Sequence, residues 1–273
     1  MKNPNFDATA YWRRRLSGKL DISAVGHRSF GSTYNKYIYR RRIDMLIAIV
    51  QEMNLNLKDL RVLDIGCGSG FYTEFWKSMG IVNYVGLDVS GEGVTQLQAK
   101  YPEYKFINTD ITKPLFDEGL SSAYDLITVF DVMYHIVGDD RASAAFSVIQ
   151  SLLVEDGAVL IFDQLLKIDY MLTSHVKFRS RDNYRKMLAA AGLEVVNRKP
   201  AFLLLAPPVF GVRPLDIGIA GIYKIMGFIM KNWRWFADLC GCGMYRLDRL
   251  LLKTGLRIPN HELLVIRRVR ITS

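Results

Sequence analysis

Gly66, Gly68 and Gly70 stand at alternate positions directly after the apolar run Val62-Leu63-Asp64-Ile65. Residues without a Cβ let the backbone bend sharply and let a ligand approach closely. The spacing differs from the dinucleotide fingerprint GxGxxG, because the third glycine follows only two residues after the second, and the Lys-Ser/Thr of a phosphate loop is missing. No pyrophosphate is implied. The next apolar run, Tyr84-Val85-Gly86-Leu87-Asp88, ends in an acid about 20 residues on, where a carboxylate can accept both hydroxyls of a ribose. The following run ends in Asn108-Thr109-Asp110-Ile111, which puts a further carboxylate at the same edge, within reach of an adenine amino group. The three features suit a nucleoside without a pyrophosphate. Taken singly, Asp88 or Asp110 reads equally as a helix cap or turn residue, and Asp64 as an internal acid that pins the turn.

These residues need a frame that delivers them to one edge. Short apolar runs at Arg61–Ile65, Tyr84–Asp88, Lys105–Asn108, Leu126–Phe130 and Val159–Asp163 read as strands, and the stretches between them as helices. Strand and helix in alternation imply parallel βαβ units in a doubly wound α/β sheet. Ser90 is a candidate N-cap, Asp139-Asp140 open a helix running to about Val154, and Asp156-Gly157 reads as a tight turn. Ser180–Ala191 reads as a helix closed by Gly192, Leu193–Val196 as the next strand, and Leu263–Ile266 as the branched centre of a final one.

Two regions depart from this rhythm. Residues 7–55 read as a helical front piece with a break at Val25-Gly26-His27 and a longer helix from about Tyr37 to Met53. Residues 200–258 carry Pro200, Pro207, Pro208 and Pro214, then an apolar stretch from Ile217 to Met230 and Trp233-Arg234-Trp235-Phe236. This is read as a helical insertion. At 273 residues, 50% hydrophobic and 23% charged, the chain has the composition of one folded domain. Three cysteines, Cys67, Cys240 and Cys242, give neither a disulfide framework nor a zinc pattern, so a metal is not expected. The first ten residues lack the apolar core of a signal peptide, and no run of 18 apolar residues occurs without a charge. A cytoplasmic location is the expectation, with peripheral contact at the inner membrane face left open.

The ordered set VLDIGCGSG, YVGLDVS, FINTDIT and YDLITVFDVMYHI resembles the class I S-adenosylmethionine-dependent methyltransferases over about 100 residues. The resemblance implies a Rossmann-like, seven-stranded, mostly parallel sheet with an N-terminal helical lid (1–58), a cofactor-binding core (59–199), an insertion that covers the substrate (200–258) and a final strand (259–273). It assigns Asp64, Gly66, Gly68 and Gly70, with Cys67 between them, to the methionine end of S-adenosylmethionine. Asp88 and Val89 go to the ribose, Asp110 and Ile111 to adenine, and Phe130 to the floor beneath the sulfonium; the product is S-adenosylhomocysteine. Asp131 is assigned to the methionine end or the acceptor, with helix capping as the competing reading.

Methyl transfer needs an acceptor aligned within about 3 to 3.5 Å of the methyl and shielded from water. A hydroxyl acceptor must also lose a proton, and an imidazole suits that task. His135 is the candidate base, since many small-molecule members of the family carry a histidine in this loop; a packing role is the alternative. Tyr134 beside it reads mainly as packing. His175 and Arg179 stand where family members line the acceptor pocket, and could hold an anionic acceptor, or could lie on a surface loop.

The acceptor expected is a small molecule or glycan with a hydroxyl oxygen, and the front piece resembles a bacterial subset associated with glycan biosynthesis. In that family the front helices close over the cofactor, which would make Arg28 or Tyr34 lid contacts. The insertion supports a second expectation, a lipid or quinone acceptor. Lys224, Lys231 and Asp238 form a narrow stripe on an otherwise apolar helical surface, and 215–252 would either cover the site or rest at a lipid boundary. The net charge of +9 suits an anionic partner. Its clusters at Arg13-Arg14-Arg15, Arg40-Arg41-Arg42 and Arg267-Arg268 read as solvated faces. A nucleic-acid substrate is disfavoured, because FDVMYHI lacks the Pro-Pro-aromatic arrangement that holds a flipped base.

Overall fold

The computed structural model describes residues 11–12, 30–113, 120, 124–258 and 260–270. Seven strands form one sheet in the order β3-β2-β1-β4-β5-β9-β8. They are β1 (Arg61–Ile65), β2 (Asn83–Asp88), β3 (Lys105–Asn108), β4 (Tyr124–Phe130), β5 (Leu153–Asp163), β8 (Leu193–Pro200) and β9 (Glu262–Arg268). All contacts from β3 to β5 are parallel, and β9 runs antiparallel to both β5 and β8. A separate hairpin pairs β6 (Tyr170–Thr173) with β7 (Val176–Phe178). The helices are α1 (Gly31–Glu52), α2 (Phe71–Ser78), α3 (Gly91–Lys100), α4 (Asp139–Leu152), α5 (Arg181–Ala190), α6 (Arg213–Asn232) and α7 (Arg234–Lys253).

Strand alternation sends side chains to two cores, one on each face of the sheet. Val62, Leu126, Leu160, Phe162, Leu263 and Val265 meet α1 and α2 on one face. Leu63, Ile65, Ile127, Val129, Val159, Ile161, Leu264 and Ile266 meet α4 and α5 on the other. Ser90 and Ser180 cap α3 and α5, their hydroxyls accepting the N–H of Gly93 and Asn183.

Three local expectations shift. Helix α1 begins at Gly31, six residues before the periodic run at Tyr37, because Tyr34 and Asn35 in its first turns are also buried. Helix α4 stops at Leu152 rather than near Val154, and Asp156-Gly157 is no turn but part of β5. Leu153 pairs with Tyr124, and a register shift before Leu126↔Ala158 absorbs the extra residues as an irregularity of the strand. The β6–β7 hairpin, which lies between β5 and α5, was not foreseen.

The excursion from β8 to β9 is helical, as expected of residues 200–258. It is sewn to the sheet at its base. The Ala201 N–H donates to the His261 carbonyl, and the fully buried Asp248 carboxylate of α7 accepts the N–H groups of Leu203, Leu204 and Leu205. The Asn260 amide donates to the carbonyls of Leu203 and Ala206. Helix α7 then packs against α1, and Gly241 is what permits the approach: a Cβ there would stand 2.3 Å from the Tyr37 ring. Asp238, next on the same side, accepts from the Tyr37 hydroxyl and pairs with Lys36.

Candidate cofactor and acceptor site

A cavity of about 420 Å³ opens at the carboxyl ends of β1, β2 and β4, within the size range of small-molecule sites. The glycine turn forms one wall. Gly66, Gly68 and Gly70 all adopt left-handed φ (77°, 53° and 78°), and the N–H groups of Gly66 and Cys67 both donate to the Leu87 carbonyl of β2. Gly66, Cys67, Gly68 and Ser69 line the cavity, whereas Gly70 has turned away to begin α2, its Cα facing Leu97. Burial pushes the Cys67 thiol well above its ordinary pKa, so it packs rather than reacts.

Asp88 projects into the same space from the end of β2. One carboxylate oxygen accepts the Gly68 N–H at 2.9 Å and the other the Ser90 N–H at 2.8 Å. Burial raises its pKa, while these N–H donors and that of Val89 pull it down. Each oxygen keeps a second lone pair, so the group can still receive two hydroxyls. Val89, Thr109 and Ile111 continue this wall, with Leu87 behind. A carboxylate between an apolar slot and a backbone turn fits an adenosyl group, so the residues present suit S-adenosylmethionine. Asp88 would hold the ribose, Ile111 the adenine face and the glycine turn the amino-acid end.

Two expected contacts stand elsewhere. Asp64 lies behind the turn, outside the cavity lining, where it accepts from Thr128 at 2.6 Å and Tyr84 at 2.9 Å. Burial raises its pKa to about 6, against the pull of those two hydroxyls. Asp110 caps its own turn through Thr112 and accepts from Arg141, and it too is not a lining residue.

The other side of the cavity is built from β4, the loop after it, the β6–β7 hairpin, α1 and the start of the excursion. Phe130 sits at the end of β4 against Tyr72 and Phe162, their ring centroids 4.5 and 5.0 Å away. Asp131 follows with φ 62°, a left-handed conformation rare outside glycine. Its carboxylate takes both terminal nitrogens of Arg42, one at 2.9 Å. Burial would raise the Asp131 pKa, but the Arg42 guanidinium, helped by His261, holds it below the usual range. Arg42 corrects the reading of Arg40-Arg41-Arg42 as a solvated face. Only 5% exposed, it reaches the cavity wall and lies over the rings of Tyr39, Phe162 and Phe202.

His135 ends the 3-10 turn Met133–His135, and its Nδ1 lies 2.9 Å from the His175 carbonyl oxygen. A carbonyl only accepts, so this contact places a proton on Nδ1, and in the neutral imidazole the lone pair is then on Nε2. The His135 and His175 rings lie parallel with centroids 5.9 Å apart, and Trp12 meets His135 edge-on at 4.9 Å. Tyr134, His135, His175 and Trp12 all line the cavity. Arg179 does not: its fully buried guanidinium donates to the carbonyls of Met133, Ile136 and Gly138 and pairs with Asp139, holding the loop that carries His135. Tyr34 lies under the excursion, donating to the Leu205 carbonyl, and Arg28 falls outside the described residues.

Sequence reasoning missed Arg42, His261, Asn35 and Gln164, all of which line the cavity. His261 stands just before β9 with Nε2 3.8 Å from Asp131 and Nδ1 3.3 Å from the Asn260 side-chain oxygen. The sole sequence signal for it was an imidazole next to the last strand.

A family model described as a methyltransferase domain matches residues 34–198. No curated protein matches the chain. The magnesium protoporphyrin IX methyltransferase of Synechocystis, solved with bound S-adenosylmethionine, is 21% identical over 72% of this chain and 91% of that one, with a TM-score of 0.53. An O-methyltransferase from a trans-AT polyketide synthase multienzyme of Brevibacillus brevis, solved with S-adenosyl-L-homocysteine, is 17% identical over 98% of this chain and 81% of that one, with a TM-score of 0.53. A Leishmania major S-adenosylmethionine-dependent methyltransferase is 14% identical over 70% and 75%, with a TM-score of 0.54. At these identities the likenesses speak for the fold.

Proposed function

Because the chain belongs to the methyltransferase-domain family and is an S-adenosylmethionine-dependent methyltransferase, we propose that it methylates a hydroxyl oxygen of a small molecule or glycan, with His135 as the base. The observation that carries this reading is the 2.9 Å contact from His135 Nδ1 to the His175 carbonyl. It leaves a lone pair on Nε2 of a residue lining the cavity that Asp88 and the glycine turn also line.

When bound, the cofactor supplies an electrophilic methyl on a sulfonium that departs as a neutral thioether. The chain's own residues do the rest. Asp88 would hold the ribose, Ile111 the adenine face and the glycine turn the amino-acid end, with Phe130 beneath the sulfonium. His135 Nε2 would take the proton of the acceptor hydroxyl, becoming an imidazolium whose Nδ1–H stays on the His175 carbonyl. The aromatic lining of Trp12, Tyr39, Tyr72, Phe178 and Phe202 gives the acceptor an apolar surface to displace water against. A second reading, a lipid-borne or quinone hydroxyl, draws on that same apolar lining.

Supplying methyl-labelled cofactor to the protein with fractionated cell extract tests the reading. Label should enter a glycan, small molecule or lipid as an ether. His135→Ala should slow transfer about 10²-fold or more while sparing cofactor affinity. Label on a nitrogen or in nucleic acid, or undiminished transfer by the variant, would overturn it.

A further inference from the structure

Helix α6 turns its apolar side outward. Leu215, Gly218, Ile222, Ile225 and Ile229 follow one another at three- and four-residue steps and so share one face. Ile222 and Ile225 are 59% and 64% exposed, and Phe228, one step around, is 71% exposed. The opposite face, through Asp216, Tyr223, Gly227 and Met230, is the buried one. Lys224 and Lys231, seven residues apart and both exposed, mark one margin of the outward face. The turn into α7 adds Trp233 and Trp235, 58% and 69% exposed. Water is a poor neighbour for such a surface, since soluble chains rarely expose a contiguous apolar patch of this kind without a partner.

The charge around the patch selects the partner. From Arg213 to Arg257 the chain has eight Lys or Arg, all exposed, and three Asp. The three acids are already engaged: Asp216 with the Phe210 N–H, Asp238 with Lys36 and Tyr37, and Asp248 with the 203–205 turn. None of the eight bases has an acidic partner among the described residues. Four of these bases, Arg213, Lys224, Lys231 and Arg234, belong to α6 and the turn that follows it; two copies of a face bordered by them would repel each other, whereas an anionic bilayer would attract it. Among the described residues no helix is long and apolar enough to cross a membrane. An apolar face edged with lysines, with tryptophans at its end, is the arrangement of a helix lying in the plane of a bilayer surface.

We propose that α6, with the Trp233–Trp235 turn, docks this protein on anionic lipid bilayers. The helix lies at the acceptor side of the cavity. Pro207 and Val209 line the cavity just before α6 begins, and Gly211 in between sits against Ile168 beside the β6–β7 hairpin, whose Leu172 is both exposed and a lining residue. The docking helix is therefore joined in sequence to the segment that lines the cavity.

Vesicle flotation tests this without any measurement of methyl transfer, so its outcome is separate from that of the catalytic reading. Vesicles of phosphatidylcholine with phosphatidylglycerol should carry the protein, and phosphatidylcholine alone should carry at least about tenfold less. Ile222→Glu/Ile225→Glu/Phe228→Glu, whose sites are exposed, should abolish flotation while leaving circular dichroism unchanged, and Lys224→Glu/Lys231→Glu should reduce it about tenfold or more. Should the triple variant fail to fold, the unsubstituted protein still decides: its tryptophan emission should shift to the blue with phosphatidylglycerol vesicles. Protein that stays unbound at low salt without an emission shift, or binding that ignores vesicle charge, overturns the proposal. So does a dimer in sedimentation that the triple variant splits while neither protein floats.

Discussion

Arg42 on α1 and Asp131 after β4, 89 positions apart in the chain, close one wall of the cavity by a two-pronged ion pair. The pair joins the front helix to the loop that carries His135. It also gives the left-handed backbone of Asp131 a counterweight, because the contact holds the carboxylate where that backbone aims it.

Removing one partner leaves the other charge in a largely dry wall. Arg42→Ala should cost about 3 kcal/mol of unfolding free energy in urea, and Arg42→Met/Asp131→Asn should recover part of it, since neither charge is then stranded. Single and double variants both within about 0.5 kcal/mol of the parent would mean that the pair is not a structural tie.

Asp88 tests the cofactor side. Asp88→Ala removes an acceptor for two backbone N–H groups together with the carboxylate proposed to hold the ribose, and calorimetry should show S-adenosylmethionine affinity reduced at least about tenfold, or about 1.4 kcal/mol. Unchanged affinity would exclude a ribose contact at this position.

Gly66 tests the turn. Its φ is 77°, and a Cβ on it would stand 2.3 Å from Val132 Cγ2, so Gly66→Ala meets both backbone strain and a clash. The strain alone is worth about 1–2 kcal/mol. Gly66→Ala/Val132→Ala should be more stable than Gly66→Ala because it relieves the clash and leaves the strain. A thermal melt of the single variant that matched the parent would show that the turn tolerates a side chain.

Asp163, buried at the end of β5, has its pKa raised to about 7, chiefly by burial and against the pull of the Gln164 N–H and Arg179. In the unfolded chain it titrates near about 3.9. Between these values the folded protein holds a proton that the unfolded chain has lost, so this group's contribution to stability falls as pH rises from about 4 to about 7. Asp163→Asn should remove that decline, and its stability relative to the parent should grow across the window by up to about 4 kcal/mol. Urea unfolding at several pH values reads the difference, and a gap that does not change with pH would sink the assignment.

Asp88 was readable in the sequence because its strand is the next one after the glycine turn, and a parallel βαβ unit forces both to the same sheet edge. Order along the chain stands in for proximity there. Arg42 shares the three- and four-residue spacing of Ile38, Met45, Leu46 and Ile49, which places it on the buried face of α1, but its charge reads as solvated because the partner is supplied by a distant loop. His261 was hidden for a related reason: its nearness to Asp131 depends on β9 returning beside β5 after the whole helical excursion. The β6–β7 hairpin is short, and exposed Met171 and Leu172 break the alternation that marks a strand. Asp110 is a strand-end acid in the expected place, and its carboxylate also accepts from Thr112 and Arg141, partners that strand order does not foretell.

Pro200 and Glu262 are paired across β8 and β9, so the excursion leaves and re-enters the sheet at a single point, tied there by Ala201 and His261. Its ends stay together whatever lies between them, and the entropy of closing such a segment changes only slowly with its length. A change of length within α6 or α7 therefore leaves the register of the nucleoside half untouched, while the base of the excursion, with Phe202 and His261 in the cavity wall, stays tied to the sheet. Rewriting the part of that stretch beyond its tied base is thus a route to a new outer surface that leaves the nucleoside half intact.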